Sequence, residues 1–159
     1  MSKTEAALQA LRAAIDARQP KLPAVRRNAP LNDLLDALDE ALTGAPAATT
    51  QGALALVDGQ GEVLDVALGD GEGKYSIKHS AEVQWLVAGP EGDDLDRHFD
   101  AGLEEIADAV AEDPTLGGVV NDARIEEAPE RDLDVLGRAK PYKSAVLRVA
   151  LLFTSPKPF

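Results

Sequence analysis

Two histidines are the side chains of this sequence best suited to acid–base catalysis. His79 falls on the apolar parity of a predicted strand, where a buried, hydrogen-bonded imidazole is the usual arrangement. His98 lies on a strongly acidic predicted helix, and we expect it to be solvated. No serine stands in a Gly-x-Ser-x-Gly nucleophile elbow. Catalytic groups assemble in space rather than in sequence, but the sequence itself gives catalysis no positive support.

Two further patterns suggest a phosphate-binding loop and a metal site, and in each case a structural explanation is better. The glycines that end at Gly73-Lys74 lack the earlier glycine of a phosphate-binding loop, and Tyr75 replaces its Ser or Thr. A hairpin turn explains this stretch better. Four aspartates between positions 93 and 100 suggest a divalent cation, but helix capping and the helix dipole account for them. The sequence therefore predicts no catalytic, cofactor-binding or metal-binding residue.

Charge and composition exclude several function classes. The 159 residues include 28 acidic and 16 basic side chains, which give a formal net charge of −12. Such a surface repels nucleic acid phosphates and anionic membranes. The absence of cysteine rules out disulfides and thiolate metal sites. No apolar run approaches the roughly 20 residues of a membrane span, and the first residues are typical of a polar helix rather than a signal peptide.

The first third of the sequence is predicted to be helical. Ser2 and Glu5 have the spacing of a capping box ahead of an apolar stripe. Leucines at helical spacing predict a second helix over 31–42, and a linker of small residues follows over 44–51. We therefore assign residues 1–51 to a helical N-terminal part and linker.

Alternation with a period of two begins at residue 52 and predicts strands. Segments 53–57 and 63–68 flank Asp58-Gly59-Gln60-Gly61, which is a hairpin signal. A second glycine turn leads into an alternation that is unbroken from Tyr75 to Val87. At ~3.3 Å per residue this strand is long enough that it must bend at a bulge or project beyond the body.

The remaining elements complete the predicted fold. A third helix is expected over 93–112, a strand over 119–127, a long charged connection over 128–143 and a last strand over 145–154. This order predicts an α+β fold with a mixed, mainly antiparallel sheet of about four to six strands and helices packed on one face. We expect one domain over residues 1–159, in which 52–159 supply the sheet, the long helix and the closing strands.

Charged side chains outside the predicted helices mark candidate contact surfaces. Arg26-Arg27 is the one tight basic pair in the first hundred residues, and it fits a solvated loop pair or a salt bridge between subunits about equally well. The candidate inter-subunit or partner contacts are Arg26, Arg27, Asp70, Glu72, Lys74, Arg131, Asp132, Arg138, Lys140 and Arg148.

The segment Asp113–Asp122 resembles a recurring motif of tail terminator proteins from long-tailed bacteriophages and prophages. Its surroundings agree in order: an N-terminal Leu-Arg-Ala-Ala-Ile helix, a loop over Val25–Asn28, a strand that contains His79, and a closing strand that ends in Leu152–Ser155. The resemblance covers nearly the whole chain except residues 31–51, which are longer and more helical than that family leads us to expect.

The motif also has a local explanation. Its residues are Asp113, Pro114, Thr115, Leu116, Gly117 and Gly118. Pro114 ends the third helix, Leu116 can fold back on its last turn, and Gly117-Gly118 permit positive φ before the next strand. A helix-to-strand turn is therefore expected whatever the function.

The resemblance implies a structural virion protein. Members of that family form a ring, typically a hexamer, that stops polymerisation at the end of the tail tube and provides the head-attachment surface. The implied partners are copies of the chain itself, the major tail tube protein and the head–tail connector or stopper. DNA would pass through the lumen without specific binding, no membrane or cofactor is involved, and assembly would take place in the bacterial cytoplasm.

Two alternatives remain open. The chain could be another neck component, such as a head completion or head–tail joining protein. It could instead be a small enzyme or ligand-binding domain that uses His79 and the acidic start of the third helix. Nothing in the sequence resembles a coenzyme A site, so an acyl-CoA transferase activity has no support.

Overall fold

The computed structural model of the chain describes residues 1–69, 72–127, 130–134 and 141–159. Its helices are α1 (Lys3–Asp16), α2 (Leu31–Leu42) and α3 (Asp93–Glu112). Its strands are β1 (Val25–Arg27), β2 (Gln51–Gly69), β3 (Glu72–Ala88), β4 (Asp122–Ile125), β5 (Glu130–Asp134) and β6 (Tyr142–Ser155). The three helices lie where helical periodicity predicts them, and the Ser2 side chain caps α1 by accepting a 3.0 Å hydrogen bond from the Glu5 amide.

Within the described residues the strands form one six-stranded sheet in the order β1-β2-β3-β6-β4, with β5 also paired to β6. β1 runs parallel to β2, and every other pair is antiparallel. The predicted α+β class with a mixed, mainly antiparallel sheet is therefore confirmed.

One side of the sheet, termed the inner face, carries Leu54, Val83, Trp85 and Val149 and is covered by α1 and α3. Trp85 lies at its centre and donates a 3.0 Å hydrogen bond from its indole N–H to the Phe99 carbonyl. Glycines let the backbone approach this ring, because a Cβ at Gly102 would lie 2.2 Å from it and one at Gly52 would lie 2.5 Å from it. The inner face thus holds the larger part of the core.

The opposite side, termed the outer face, is covered at one end by α2. The leucines of α2 pack on small and aliphatic residues of β2 and β3; this cluster is Leu34, Leu35, Leu38, Leu42, Ala53, Ala55, Leu86 and Ala88. The prediction of helices on one face therefore holds for α1 and α3 and is wrong for α2. An amphipathic helix can pack on any apolar surface. Because β2 and β3 carry apolar side chains on both sides in this part of the sheet, each face offers such a surface.

β2 contradicts the predicted hairpin at Asp58–Gly61, because the strand continues through it. The register with β3 shifts by one residue between Val57 and Gln60, where Gly59 has a φ of 71°. A Cβ at Gly59 would lie 1.8 Å from the Ser80 carbonyl oxygen, so glycine is required there. A glycine bulge and a glycine turn both interrupt alternation, which explains the error. The true hairpin joins Gly69 to Glu72.

Three smaller corrections concern the ends of the chain. The N-terminal part is not purely helical, because β1 joins the sheet beside β2. The strand expected over 119–127 is confined to β4, and residues 119–120 belong to the preceding turn. The connection expected over 128–143 contains β5, which pairs with the start of β6.

The turn after α3 matches its local explanation. Asp113 accepts a 2.9 Å hydrogen bond from the Gly117 amide through its side chain, and Leu116 is buried in the core. Leu116, Gly117 and Gly118 all have positive φ, of 48°, 69° and 87°. The left-handed leucine was not predicted, and burial of its side chain offsets the strain of that conformation.

Candidate functional site

The distal part of the β2–β3 hairpin extends past the helices that cover the rest of the sheet. Every residue from Gly59 to Ala67 is exposed. β1 ends opposite Leu56, so beyond the first bulge the edge of β2 has no strand partner in the described part of the chain. Residues 59–67 of β2 and 74–76 of β3 are termed the free end of the hairpin.

The free end presents apolar side chains to solvent. Val63, Leu64 and Val66 are 40%, 53% and 43% exposed. Val63 lies opposite the buried Ile77 and Val66 opposite Tyr75, so both valines belong to the inner face of the sheet. An isolated two-stranded ribbon is only marginally stable in water, and neighbouring exposed apolar side chains are typical of a surface that another molecule covers.

The edge of the free end is protected against strand pairing. A second register shift lies between Val63 and Asp65, and the Asp65 carboxylate accepts a 2.8 Å hydrogen bond from the amide of Val66. Bulges and charged side chains are the usual means by which an edge strand avoids adding another strand. The free end is therefore suited to contact through its side chains rather than through its backbone.

Arg27 anchors the base of the free end. Its guanidinium lies 2.9 Å from a Glu5 carboxylate oxygen on α1 and 2.5 Å from one of Asp58 at the first bulge. Hydrogen bonds from Arg27 hold the pKa of the Glu5 and Asp58 carboxyls below their usual values, and the same bonds raise the pKa of Arg27. Arg27 is therefore engaged within the chain and is not available as the contact between subunits that its position in the Arg26-Arg27 pair suggested.

Arg26 is exposed and points away from this cluster into a groove between β1 and α2. It forms no ion pair with any described residue. The groove has a volume of about 180 Å³, and its lining, termed the Arg26 groove, is Pro23, Ala24, Arg26, Ala37, Leu38, Ala41, Gly52, Ala53 and Leu54. Apart from Arg26, every lining side chain is apolar or absent.

Arg148 lies in a larger, open cleft on the outer face. This cleft has a volume of about 790 Å³ and is lined mainly by polar side chains of β2, β3 and β6. Lys78 pairs with Glu126 across it, and Arg148 stands opposite Glu82 in the strand register. Charges of both signs alternate over this surface, which is typical of a solvated sheet face.

The two histidines do not converge on a common site. His79 is buried as predicted, with its Nε2 against the Asp58 carbonyl oxygen. The prediction that His98 is solvated is wrong: its Nδ1 lies 2.7 Å from the Thr50 hydroxyl and its ring lies 6.1 Å from that of Trp85. Burial lowers the pKa of His98. His98 sits on the side of α3 that turns towards the sheet.

The acidic start of α3 borders a cleft of about 280 Å³ that is lined in part by Glu91, Asp93 and Asp94, and His79 is not among its lining residues. Asp94 pairs with Arg97, and Asp96 pairs with Lys143. In the described ranges no group of three His, Asp or Glu side chains is placed to hold a metal ion. The enzyme alternative, which needed His79 beside these carboxylates, gains no geometric support.

The other candidate contacts are spread along the sheet. Lys74 is exposed on β3 within the free end. The backbone of Glu72 begins β3, and Arg131 and Asp132 lie on β5. Asp70, Arg138 and Lys140 lie outside the described residues.

No protein-family model matches the chain, and no curated protein shows a significant match to it. None of the helices in the described ranges is sufficiently long and apolar to cross a membrane.

Sequence reasoning missed the apolar residues of the free end and the Arg26 groove. The available signal was the sequence Glu62-Val63-Leu64-Asp65-Val66, which breaks strict alternation inside a predicted strand. An apolar residue out of phase with its strand marks a bulge or an exposed position.

Proposed function

We propose that this chain is a structural virion protein that forms a homo-oligomeric ring, in its expected form a hexamer, at the end of a phage tail tube. There it stops tube polymerisation and provides the surface to which the head attaches. The observation that carries the proposal is the free end of the hairpin, whose valines and leucine need a partner molecule to leave water. Self-assembly supplies such a partner.

The tail end is suggested by the order of sequence features that resembles tail terminator proteins. The Asp113–Gly118 turn, with positive φ at Leu116, Gly117 and Gly118 and a side-chain hydrogen bond to Asp113, is compatible with the proposal, although a turn of this kind is expected whatever the function. The net charge of −12 fits a ring through which DNA slides, since phosphate contacts would immobilise DNA. We propose that acidic side chains line the lumen, which a lumen lined by Lys and Arg would contradict.

Light scattering after size-exclusion chromatography tests the ring directly. We expect a species with about six times the mass of one chain, or one that forms when purified tail tube protein from the same phage is added. A chain that stays monomeric and does not bind the tube protein would overturn the proposal.

A second measurement separates a tail terminator from another neck component. A terminator present in small amounts should stop elongation of the tube protein and appear by electron microscopy at one end of each tube. A head completion or head–tail joining protein should leave tube elongation unchanged and bind the connector instead. Both outcomes are compatible with a ring, and only the first supports the tail terminator role.

A further inference from the structure

We propose that the free end of one copy docks into the Arg26 groove of the next copy, with Leu64 in the groove and Glu62 and Asp65 beside Arg26. This inference rests on the proposed self-assembly and names the two surfaces that carry it. The groove and the free end are matched in size and in polarity, and Arg26 is opposite in charge to Glu62 and Asp65.

The groove accepts one aliphatic side chain. Its volume of about 180 Å³ is too small for a helix or a strand. The small side chains of Ala37, Ala41 and Ala53 make the groove shallow. Leu64 is the most exposed of the three apolar residues at the free end and stands at a bulge, where it is unpaired with β3. A bulged residue projects from its strand, which is the geometry that insertion into a small groove requires.

Charge complementarity identifies the occupant as the free end. Glu62 and Asp65 flank the apolar pair Val63-Leu64 and are both exposed. Arg26 is the single charged residue that lines the groove, and it has no ion-pair partner among the described residues. Docking therefore places two carboxylates near one unpaired guanidinium, which fixes the register of the contact.

Charge also bears on where two copies can meet. The exposed side of α3 is rich in Asp and Glu, so two copies that meet through it repel each other. α2, which forms one wall of the groove, is acidic as well. Arg26 is exposed there without a described partner, and its charge offsets part of this repulsion when an acidic copy approaches.

The two surfaces cannot meet within one chain. Leu54 borders the groove and Leu64 lies ten residues further along the same strand, about 33 Å away at ~3.3 Å per residue. Each copy therefore offers a donor surface at one end of β2 and an acceptor surface at the other. Such a head-to-tail contact generates a closed ring when the rotation between copies closes.

Disulfide cross-linking tests the contact on a background free of native cysteine. The double variant Leu64→Cys/Ala41→Cys should form a ladder of covalent multimers on mild oxidation, up to the size of the ring. The matched control Leu64→Cys/Ala101→Cys places the second cysteine at an exposed alanine of α3 and should remain largely uncross-linked. Equal ladders from both variants, or none from the first while the wild type is a ring, would overturn the docking.

Mixing two defective variants provides an independent test. Leu64→Glu removes the donor and Arg26→Glu removes the acceptor, so each variant alone should be monomeric. Their mixture retains one intact donor and one intact acceptor and should give a heterodimer that cannot grow. Variants that still form rings contradict the docking but leave the ring intact as a proposal, whereas a monomeric wild type overturns both. Circular dichroism checks that each variant is folded.

Discussion

The two ends of the β2–β3 hairpin share the same pair of strands and have opposite surroundings. Near Gly52 and Trp85 the strands are covered on the inner face by α3 and on the outer face by α2. Near Val63 and Val66 neither face is fully covered. Strand pairing by itself therefore does not determine which part of a sheet is buried, because the same ladder of hydrogen bonds joins a covered end and an exposed end.

The difference lies in how glycine and charge are used. At the covered end, Gly52 makes room for the Trp85 ring, and the neighbouring positions are apolar. At the free end, Gly59 permits a bulge, and Glu62 and Asp65 keep the edge polar. The covered end is densely packed, whereas the free end combines exposed apolar side chains with a polar edge.

The largest expected effect is on the covered end. Trp85→Ala removes a fully buried side chain together with its hydrogen bond to Phe99, and should lower the free energy of unfolding by about 3–5 kcal/mol. Leu64→Ala at the free end should change it by less than about 0.5 kcal/mol. Urea denaturation at dilute protein concentration, where self-association is minimal, measures both. Similar losses in the two variants would show that the free end is packed within the monomer.

A methyl group added to β2 should have a different effect at each end. Gly52→Ala places a Cβ 2.5 Å from the Trp85 ring and should lower the free energy of unfolding by about 1–3 kcal/mol. Gly61→Ala places one 3.2 Å from the His79 Nδ1 and should lie within about 0.5 kcal/mol of the wild type. Thermal unfolding of the two variants in parallel checks the contrast. Equal midpoints would mean that Trp85 moves aside freely.

The junction between the two ends depends on Arg27. We expect Arg27→Met to lower stability at neutral pH by less than Gly52→Ala does, because the ion pairs are partly exposed. Arg27→Met should also make the free energy of unfolding fall less steeply as the pH is lowered. The folded-state pKa values of Glu5 and Asp58 lie below their ordinary values of 4.5 and 3.8. Their stabilising contribution is therefore complete above those values and is lost as the pH falls through the folded-state pKa.

Urea midpoints recorded at pH values from about 6 down to about 3 measure this effect. The wild type should lose stability more steeply than Arg27→Met below pH 4.5, the ordinary pKa of a glutamate. Lys3→Met serves as a matched control, since Lys3 is an exposed cation of α1 that causes none of the lowered carboxyl pKa values. Parallel profiles for the wild type and Arg27→Met would remove the role assigned to this cluster.

The smallest effect on folding, and a clear one on solubility, is expected from Asp65. Asp65→Val removes the carboxylate that accepts from the Val66 amide and extends the apolar run, so the edge can add strands from other copies. The free energy of unfolding should change by less than about 0.5 kcal/mol, while turbidity on standing should rise. Asp65→Asn retains an acceptor oxygen without the charge. If Asp65→Asn aggregates as readily as Asp65→Val, the charge of Asp65 rather than its hydrogen bond protects the edge.

The sequence was sufficient to predict the helices and the long regular strand. Their apolar residues recur at a constant period, and that period is set by the backbone. The Ser2 cap and the turn at Pro114 were also predictable, since each depends on neighbours within a few residues. β1 was not predictable, because a strand of three residues has too few positions to show alternation.

The candidate site was less predictable for a physical reason. A bulge and a turn both use glycine and both break the alternation, so Asp58–Gly61 gave the same signal for either. His98 was misplaced because the prediction used the acidity of its helix, whereas its own burial depends on where Trp85 and Thr50 lie in space. The Arg26 groove joins β1 to α2, and no local pattern encodes that contact.

The second bulge, between Val63 and Asp65, also means that β2 can lose one residue without a change in its pairing with β3. β3 and β6 pair without interruption from Tyr75 to Ala88. Deleting one residue from β3 would therefore move the side chains on one side of the deletion to the opposite face of the sheet. Deleting Leu64 only removes the extra residue of β2, and Val66 keeps its place opposite Tyr75. The free end can therefore lose its most exposed apolar side chain by a single codon deletion while the rest of the sheet keeps its register.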